Sequence, residues 1–177
     1  MITAVQTFVT RHLDPFDPVI ITVGKVEAGT QRNVIPDTAH FEATIRSYTP
    51  EAGRTVEAGL QTLLTNIATA HGVRAEVEYR HEYPPTVNDA EQAAFGLQQA
   101  REVFGPERVV ELDRPVPASE DFSRVLQEVP GAFLMVGAGV PGHTDINHSP
   151  RAMYDDAVLG DAARLLAELA FRKLNQG

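Results

Sequence analysis

The sequence predicts a mixed α/β chain built from two consecutive blocks, and three observations support this. Residues 1–83 alternate segments of helical period with segments of alternating polarity, in the order helix, strand, strand, helix, strand. The stretch Tyr83–Thr86 (Y-P-P-T) is stiff and extended, which is typical of a boundary between domains. Residues 84–177 then alternate short apolar runs with helical segments, as α/β domains do.

The first helix and the first two strands follow from local patterns. Met1–Leu13 carries apolar residues at helical spacing and stops at Asp14-Pro15. It lacks a capping signal before its first apolar residue, so we expect this helix to be the end of a longer one. Pro18–Val26 is rich in β-branched residues and His40–Tyr48 alternates in polarity, which predicts two strands that pair with each other.

The rest of the first block predicts a helix and a third strand. Thr49-Pro50-Glu51 provides a capping residue, a proline in the first turn and an acid near the positive helix end, and the helix should stop at Gly72. Val73–Tyr83 alternates strongly, as half-exposed antiparallel strands do. The order matches a ferredoxin-like unit without its first strand and half of its first helix. That strand is central, so we expect another chain, a swapped segment or rearranged pairing of the flanking strands to fill the gap.

The second block predicts helices separated by two short strands. Asn88-Asp89 should cap a helix that runs through Val103. Val109–Leu112 is predicted as a short strand, and Ser119–Phe122 as the start of a helix with an acid-rich first turn. Ala132–Val136 (A-F-L-M-V) predicts a buried strand, and Asp155–Leu174 a final helix.

The polar loop between that last strand and the last helix is the candidate site. Open α/β sheets bind ligands where a loop leaves the carboxyl end of a strand, and Gly137–Asp155 has this position and carries His143 and His148. His148 has two other interpretations, because its imidazole could cap the following turn or bond a backbone carbonyl.

Composition excludes several classes of function. The chain has 15 basic and 24 acidic residues and a net charge of -9, which disfavours nucleic acid as a partner. It has no cysteine, which excludes disulfides, thiolate nucleophiles and cysteine metal sites. Met1–Leu13 has neither the basic start nor the apolar core of a signal peptide, and no apolar run reaches membrane-spanning length. We therefore expect a cytoplasmic protein without a membrane partner.

Several stretches, in order and at compatible spacing, resemble the peptidase M20 amidohydrolases. The resemblance is to the branch that contains aminoacylases, hippurate hydrolases and indole-acetyl-amino-acid hydrolases. It is carried by Ile21–Gly24, Asn33–Asp37, Tyr83–Asp89, Ser119–Phe122, Pro130–Phe133 and His148–Arg151. The match runs over nearly all 177 residues and corresponds to the carboxyl-terminal portion of the family.

This resemblance implies a metal-dependent hydrolase that cleaves the amide bond of N-acyl amino acids or small peptide-like substrates. Residues 1–83 would form an incomplete ferredoxin-like lid and dimerisation domain, so the protein should be a homo-oligomer. Residues 84–177 would form the C-terminal part of a zinc-peptidase-like α/β catalytic domain with two divalent ions, zinc or manganese. The family's general base and early metal ligands lie in an N-terminal portion that this sequence does not contain. We therefore expect the chain alone to be inactive, or alternatively to be a non-catalytic dimerisation or binding module.

The resemblance also assigns roles to individual residues. His148 falls on the last metal-ligand histidine, and a neutral imidazole is a good zinc ligand. Arg46 and Asn33 match lid residues that bind substrate, and the arginine fork suits a carboxylate. Gly137 lies in the segment that lines the substrate pocket.

Two of these residues have alternative interpretations, and one loop residue has no assigned role. Arg46 could make only a surface ion pair with Glu42 or an acidic neighbour, and Asn33 could be a turn residue with a left-handed backbone. His143 matches no family ligand, and we expect it to be a solvated loop histidine.

Overall fold

The computed structural model describes residues 1–175, which divide into two compact units. The first unit comprises Met1–Pro85 and Val116–Asp121. The second comprises Thr86–Pro115 and the chain from Phe122 onward. Within residues 1–175, every helix is too short or too polar to cross a lipid bilayer.

The first unit is built from two helices and two strands. The elements are α1 (Ile2–His12), β1 (Val19–Ala28), β2 (Ala39–Ser47) and α2 (Pro50–Ala70). The strands pair antiparallel, from Val19 opposite Ser47 to Ala28 opposite Ala39, with a register shift between Val23 and Lys25. The predicted pairing of the first two strands is confirmed.

Both ends of α2 follow the sequence signals. The Thr49 hydroxyl accepts a hydrogen bond from the Ala52 amide at 3.1 Å, and Pro50 occupies the first turn. At the other end Gly72 takes a φ of 71°, which a glycine adopts without steric cost. The predicted start and stop of this helix are confirmed.

The core of the first unit lies between the helices and one face of the sheet. It is formed by Val5, Phe8, Val19, Ile21, Ala52, Val56, Leu60 and Leu64. The helices α1 and α2 approach closely where the Phe8 ring lies over Gly59. A Cβ atom on Gly59 would collide with the Phe8 Cζ atom. The glycine therefore makes room for the aromatic ring.

The third predicted strand, Val73–Tyr83, does not join the sheet. Its burial alternates as predicted, with Ala75, Val77 and Tyr79 half-buried between exposed neighbours. Within the described residues it has no ladder partner, and the sheet contains β1 and β2 only. In a ferredoxin-like sheet the last strand pairs with the first, which this chain does not supply. Rearranged pairing, one of the expected ways to fill the gap, is not seen in residues 1–175.

The second unit is helical where the sequence predicts helices. Its elements are α3 (Ala90–Phe104), a 3₁₀ turn (Pro106–Arg108), α4 (Phe122–Glu128) and α5 (Val158–Leu174). Asp89 caps α3 by accepting a hydrogen bond from the Gln92 amide at 2.9 Å. Helices α3 and α5 pack together, and Arg172 donates hydrogen bonds to Gln99 and Glu102 across that contact.

One detail of α4 differs from the prediction. The first turn of the helix contains no acid, because Glu120 and Asp121 precede its first residue, Phe122. The polar residues Ser119–Asp121 precede the helix. Phe122, the first residue of the helix, is apolar and packs against Phe133 with ring centroids 5.8 Å apart.

The two strands predicted in this unit do not form ladders in the described chain. Val109–Leu112 and Ala132–Val136 run without ladder partners, and the bridge between Gly139 and Tyr154 is isolated. The predicted burial of Ala132–Val136 is also wrong here, since Met135 is 60% and Val136 47% exposed. An apolar run predicts burial only where neighbouring strands and helices cover it, and residues 1–175 provide no such strands beside it.

Candidate functional site

The loop at 137–155 is closed at its base by backbone contacts. Gly139 and Tyr154 form an antiparallel bridge, and the Asp155 amide donates to the Ala138 carbonyl at 2.9 Å. The Tyr154 hydroxyl donates to Oδ1 of Asn147 at 2.9 Å. This bond connects the end of the loop to a residue near its middle. The loop thus has internal structure although it contains no helix or strand.

His148 lies exposed in this loop with an unusual backbone conformation. Its φ is 72°, and it is the one non-glycine residue with a positive φ among residues 1–175. Within the same residues its imidazole makes no hydrogen bond, so neither the turn cap nor the carbonyl bond expected as alternatives is formed. Both ring nitrogens of His148 are available to a ligand.

Asp145 lies at the centre of the loop's side-chain contacts. Its Oδ1 atom accepts from the Ser149 hydroxyl at 3.0 Å and from Arg151 Nη2 at 3.0 Å. Its Oδ2 atom is 3.4 Å from Arg151 Nε and 3.6 Å from His143 Nε2. The side chain is only 23% exposed.

His143 differs from the solvated histidine that the sequence predicts. Its side chain is 27% exposed and packs beside Asp145, and Nε2 is 2.7 Å from the carbonyl oxygen of Arg151. The His143 amide also donates to the Val140 carbonyl at 3.0 Å, which fixes the backbone of the turn at Val140–His143. His143 is therefore part of the scaffold of the loop.

The described residues of this chain do not by themselves fit a complete metal centre. No group of three or more histidine and acidic side chains among residues 1–175 is placed to hold a metal ion. Zinc in proteins takes three or four protein ligands, and His148 offers one. The imidazole has the right chemistry, but other donors have to complete such a site.

Arg46 projects from β2 on the exposed side of the first unit. It lies opposite Ile20 in the ladder, and its Nη1 donates to the carbonyl oxygen of Pro117. Among the described residues Arg46 forms no ion pair with Glu42 or with another acidic neighbour. Glu42 instead lies 3.0 Å from Lys25 Nζ and 3.2 Å from His40 Nε2. Hydrogen bonds from Lys25 and then His40 hold the pKa of the Glu42 carboxyl below its ordinary value.

Asn33 and Gly137 are both exposed. Asn33 lies in a turn of the β1–β2 connection, and its φ is not positive, so the left-handed interpretation is wrong. Gly29 takes the left-handed conformation in that connection, with a φ of 75°. Gly137 also has no positive φ, and a Cβ atom there would meet nothing within 4 Å. Neither backbone strain nor crowding within the described chain requires a glycine at 137.

A family model decides the relationship of this chain to known proteins. The model described as peptidase family M20/M25/M40 matches residues 3–172. The chain belongs to this family. Among curated M20/M25/M40-type relatives, the N-acetyl-L-cysteine deacetylase of Bacillus subtilis is 33% identical over 176 residues, which is 99% of this chain and 41% of the relative. The IAA-amino acid hydrolase ILR1-like 4 of Arabidopsis thaliana is 32% identical over 180 residues, 98% of this chain and 41% of the relative.

A solved structure shares the fold of this chain. The Bacillus subtilis YXEP protein, a dinuclear metal binding peptidase from the M20 family, superposes with a TM-score of 0.70 at 26% identity. The superposition covers 98% of this chain and 45% of that protein. The chain thus spans less than half the length of each of these relatives. The recognition of the M20 family from the sequence is confirmed, as is the mixed α/β fold.

The sequence did not predict the residues that hold the loop at 137–155 in place. Asp145 and Tyr154 contact the neighbours of His148 through side chains, and their partners lie four and seven residues away. Such contacts have no periodic signal in a sequence. The available clue was an acid and a hydroxyl residue on either side of a candidate ligand.

Proposed function

We propose that this chain is the carboxyl-terminal portion of a metal-dependent amidohydrolase. Its substrates are N-acyl amino acids or small peptide-like amides. The names of two relatives, an N-acetyl-L-cysteine deacetylase and an IAA-amino acid hydrolase, support this class of substrate. The observation that carries the proposal is the exposed imidazole of His148, free of hydrogen bonds within the described residues and held in a left-handed turn. An unpaired imidazole at a fixed place in a loop is suited to bind a metal ion.

His148 supplies one ligand to a centre of two divalent ions, zinc or manganese. In this proposal the remaining metal ligands and the general base belong to residues outside this chain. The one described observation that supports this is that residues 1–175 contain no cluster able to hold a metal ion. Gly137, at the start of the same loop, lines the substrate pocket.

Arg46 and Asn33 bind the substrate. The guanidinium of Arg46 recognises the free carboxylate of an N-acyl amino acid, and Asn33 adds a neutral donor. In this structure Arg46 donates to the neutral carbonyl of Pro117. A carboxylate is a stronger acceptor for a guanidinium than a carbonyl is, so substrate replaces this contact.

Residues 1–83 serve as the lid and dimerisation domain and residues 84–177 as part of the catalytic domain of a cytoplasmic homo-oligomer. The chain's partner in catalysis is the N-terminal portion that the family resemblance implies. Exposed apolar side chains on α5 support such a partner, because Leu159, Leu166 and Leu174 lie on one helix face and are 64%, 70% and 83% exposed. Isolated apolar residues are common on surfaces, but a row of large ones along a helix marks an interaction surface.

A hybrid protein tests this function. This chain replaces the matched 41% of the Bacillus subtilis N-acetyl-L-cysteine deacetylase, and release of acetate from N-acetyl amino acids is measured with zinc or manganese. We expect activity in the hybrid and none in the chain alone. A folded hybrid that binds metal but releases no acetate would favour the alternative, a non-catalytic dimerisation or binding module.

Point variants of the hybrid test the assigned residues. His148→Ala should remove activity and lower the bound metal per chain, measured by elemental analysis. Arg46→Lys keeps the charge but loses the planar fork, and should raise KM roughly tenfold to hundredfold with kcat little changed. Arg54→Lys, at an exposed position on α2, is the matched control and should leave KM unaltered. Equal KM values for the two lysine variants would remove Arg46 from the site.

A further inference from the structure

We propose that Asp145 is a positioning residue that fixes the direction of the His148 imidazole before a metal ion binds. This inference rests on the proposed role of His148 as a ligand and adds the group that holds it. Asp145 does not touch the metal or the substrate in this proposal. It acts through the backbone of the loop.

Both neighbours of His148 are held by side-chain hydrogen bonds. On one side Asn147 accepts from the Tyr154 hydroxyl at 2.9 Å. On the other side the Ser149 hydroxyl donates to Asp145 at 3.0 Å, and the Ser149 amide donates to the Ile146 carbonyl at 3.1 Å. The residue between these two contacts has little freedom to rotate about its backbone, while its ring remains exposed.

The backbone of His148 requires such support. A histidine with a φ of 72° is uncommon, and a residue in this region persists only where its surroundings determine its conformation. A side chain on a left-handed residue points away from the direction it would take in an extended chain. The contacts around His148 therefore set where its imidazole points.

Asp145 holds the contacts on the carboxyl-terminal side of His148. It is 23% exposed, whereas its partner Arg151 is 77% exposed, so the arginine alone contributes little to the order of the loop. The Ser149 hydroxyl donates to Asp145 and accepts from the Arg151 amide at 3.2 Å, which links the carboxylate to the next turn. His143 closes the other side of the carboxylate at 3.6 Å.

The first test uses the chain alone and needs no metal. Amide exchange is measured at Ser149 and Ala152, whose amides donate to the Ile146 and Ser149 carbonyls, in Asp145→Ala, Asp145→Asn and the control Asp156→Ala. The control removes an exposed carboxylate next to the loop. We expect at least tenfold faster exchange in Asp145→Ala, together with loss of the strong intraresidue amide–Hα contact that a positive φ gives His148. Asp145→Asn, which still accepts from Ser149, should lie between wild type and Asp145→Ala.

The second test measures metal affinity in the hybrid protein. Asp145→Ala should weaken zinc binding by tenfold to hundredfold, the effect typical of a residue that orients a metal ligand. Saturating metal should restore most of kcat in Asp145→Ala but not in His148→Ala. Asp145→Asn should retain more affinity than Asp145→Ala, and Asp156→Ala should bind like the wild type.

The two tests separate this proposal from the function on which it rests. If His148→Ala binds metal as tightly as wild type, the ligand role fails, and loop exchange still shows whether Asp145 sets the conformation. If Asp145→Ala leaves loop exchange and the His148 conformation unchanged, the positioning role is overturned. It is also overturned if the loop opens in Asp145→Ala without loss of metal while His148→Ala loses metal.

Discussion

Replacing His148 by glycine should make the chain more stable while it removes the proposed ligand. A non-glycine residue in the left-handed region costs roughly 1–2 kcal/mol, and glycine does not pay this cost. The φ of 72° places His148 in that region. Glycine also gives the unfolded chain more freedom, which costs roughly 0.4–1 kcal/mol. Because the His148 ring is exposed and makes no hydrogen bond within residues 1–175, we expect a net gain of about 0.5–1 kcal/mol.

The matched control is Ile146→Gly in the same loop. Ile146 is 80% exposed and has no positive φ, so the substitution loses little packing and relieves no strain. It should cost about 0.5–1 kcal/mol through the entropy of the unfolded chain. The two glycine variants should therefore change the free energy of unfolding in opposite directions.

The assay is urea unfolding followed through the NMR amide signals of α5, which lies in the same unit as the loop. The denaturant slope should be the same in both variants, so that the midpoint reports stability. A loss of stability in His148→Gly equal to that in Ile146→Gly would refute the reasoning, because it would mean that position 148 holds no strain. In the hybrid protein the same substitution should abolish metal-dependent activity, a trade of function for stability.

Two further predictions concern the two units separately. Gly59→Ala should destabilise the first unit by about 1–2 kcal/mol despite the better helix propensity of alanine, because its Cβ atom would collide with the Phe8 ring. In a double-mutant cycle of urea unfolding, Phe8→Leu should make the same change neutral or stabilising. An additive cycle would contradict the close contact. In the second unit, hydrogen bonds from Gln98 and then Arg172 hold the pKa of Glu102 below its ordinary value. Glu102 therefore contributes stability above a pH of about 4.3 that is lost as pH falls through its folded pKa. Gln98→Ala should raise the Glu102 pKa measured by carboxyl-carbon NMR, and an unchanged titration would show that this bond is not formed in solution.

The elements that the sequence predicts well are those specified by their own residues. The helix α2 begins at its capping threonine and ends before a glycine with a φ of 71°, as the sequence indicates. Helix period, capping side chains and glycine stops act within a few residues of each other. The strands β1 and β2 also follow from local alternation, and consecutive strands of this kind pair readily.

Some predicted strands form no ladder, because alternating polarity indicates which face of a segment is buried but not which segment it pairs with. Val73–Tyr83 has the predicted burial at Ala75, Val77 and Tyr79, yet no ladder within residues 1–175. Ala132–Val136 has the apolar character of a buried strand and is half exposed. A backbone ladder needs a second segment at the right distance, and no property of the segment itself supplies one.

The candidate site, too, could be predicted from the sequence only in part. The sequence is enough to select His148 as a candidate ligand, because a polar loop with histidines follows an apolar run and matches the family pattern. The left-handed backbone of His148 does not follow from the sequence. The sequence offered that conformation only as an alternative interpretation of Asn33, since asparagine tolerates it better. Contacts from Asp145 and Tyr154 hold the histidine where its own propensity would not. Only the folded loop reveals this.

Helix α5 carries large apolar side chains that the second unit does not cover. The helix packs against α3, and its Leu165 side chain is 8% exposed. One face presents Leu159, Leu166 and Leu174, which are 64% to 83% exposed. The helix also carries Asp161, Arg164 and Glu168, so this exposed apolar row is a surface feature of an amphipathic helix. The loop before it is different, because its order comes from hydrogen bonds within 137–155. His148 can therefore keep its conformation in this chain alone, even though α5 still exposes the surface on which the proposed partner would pack.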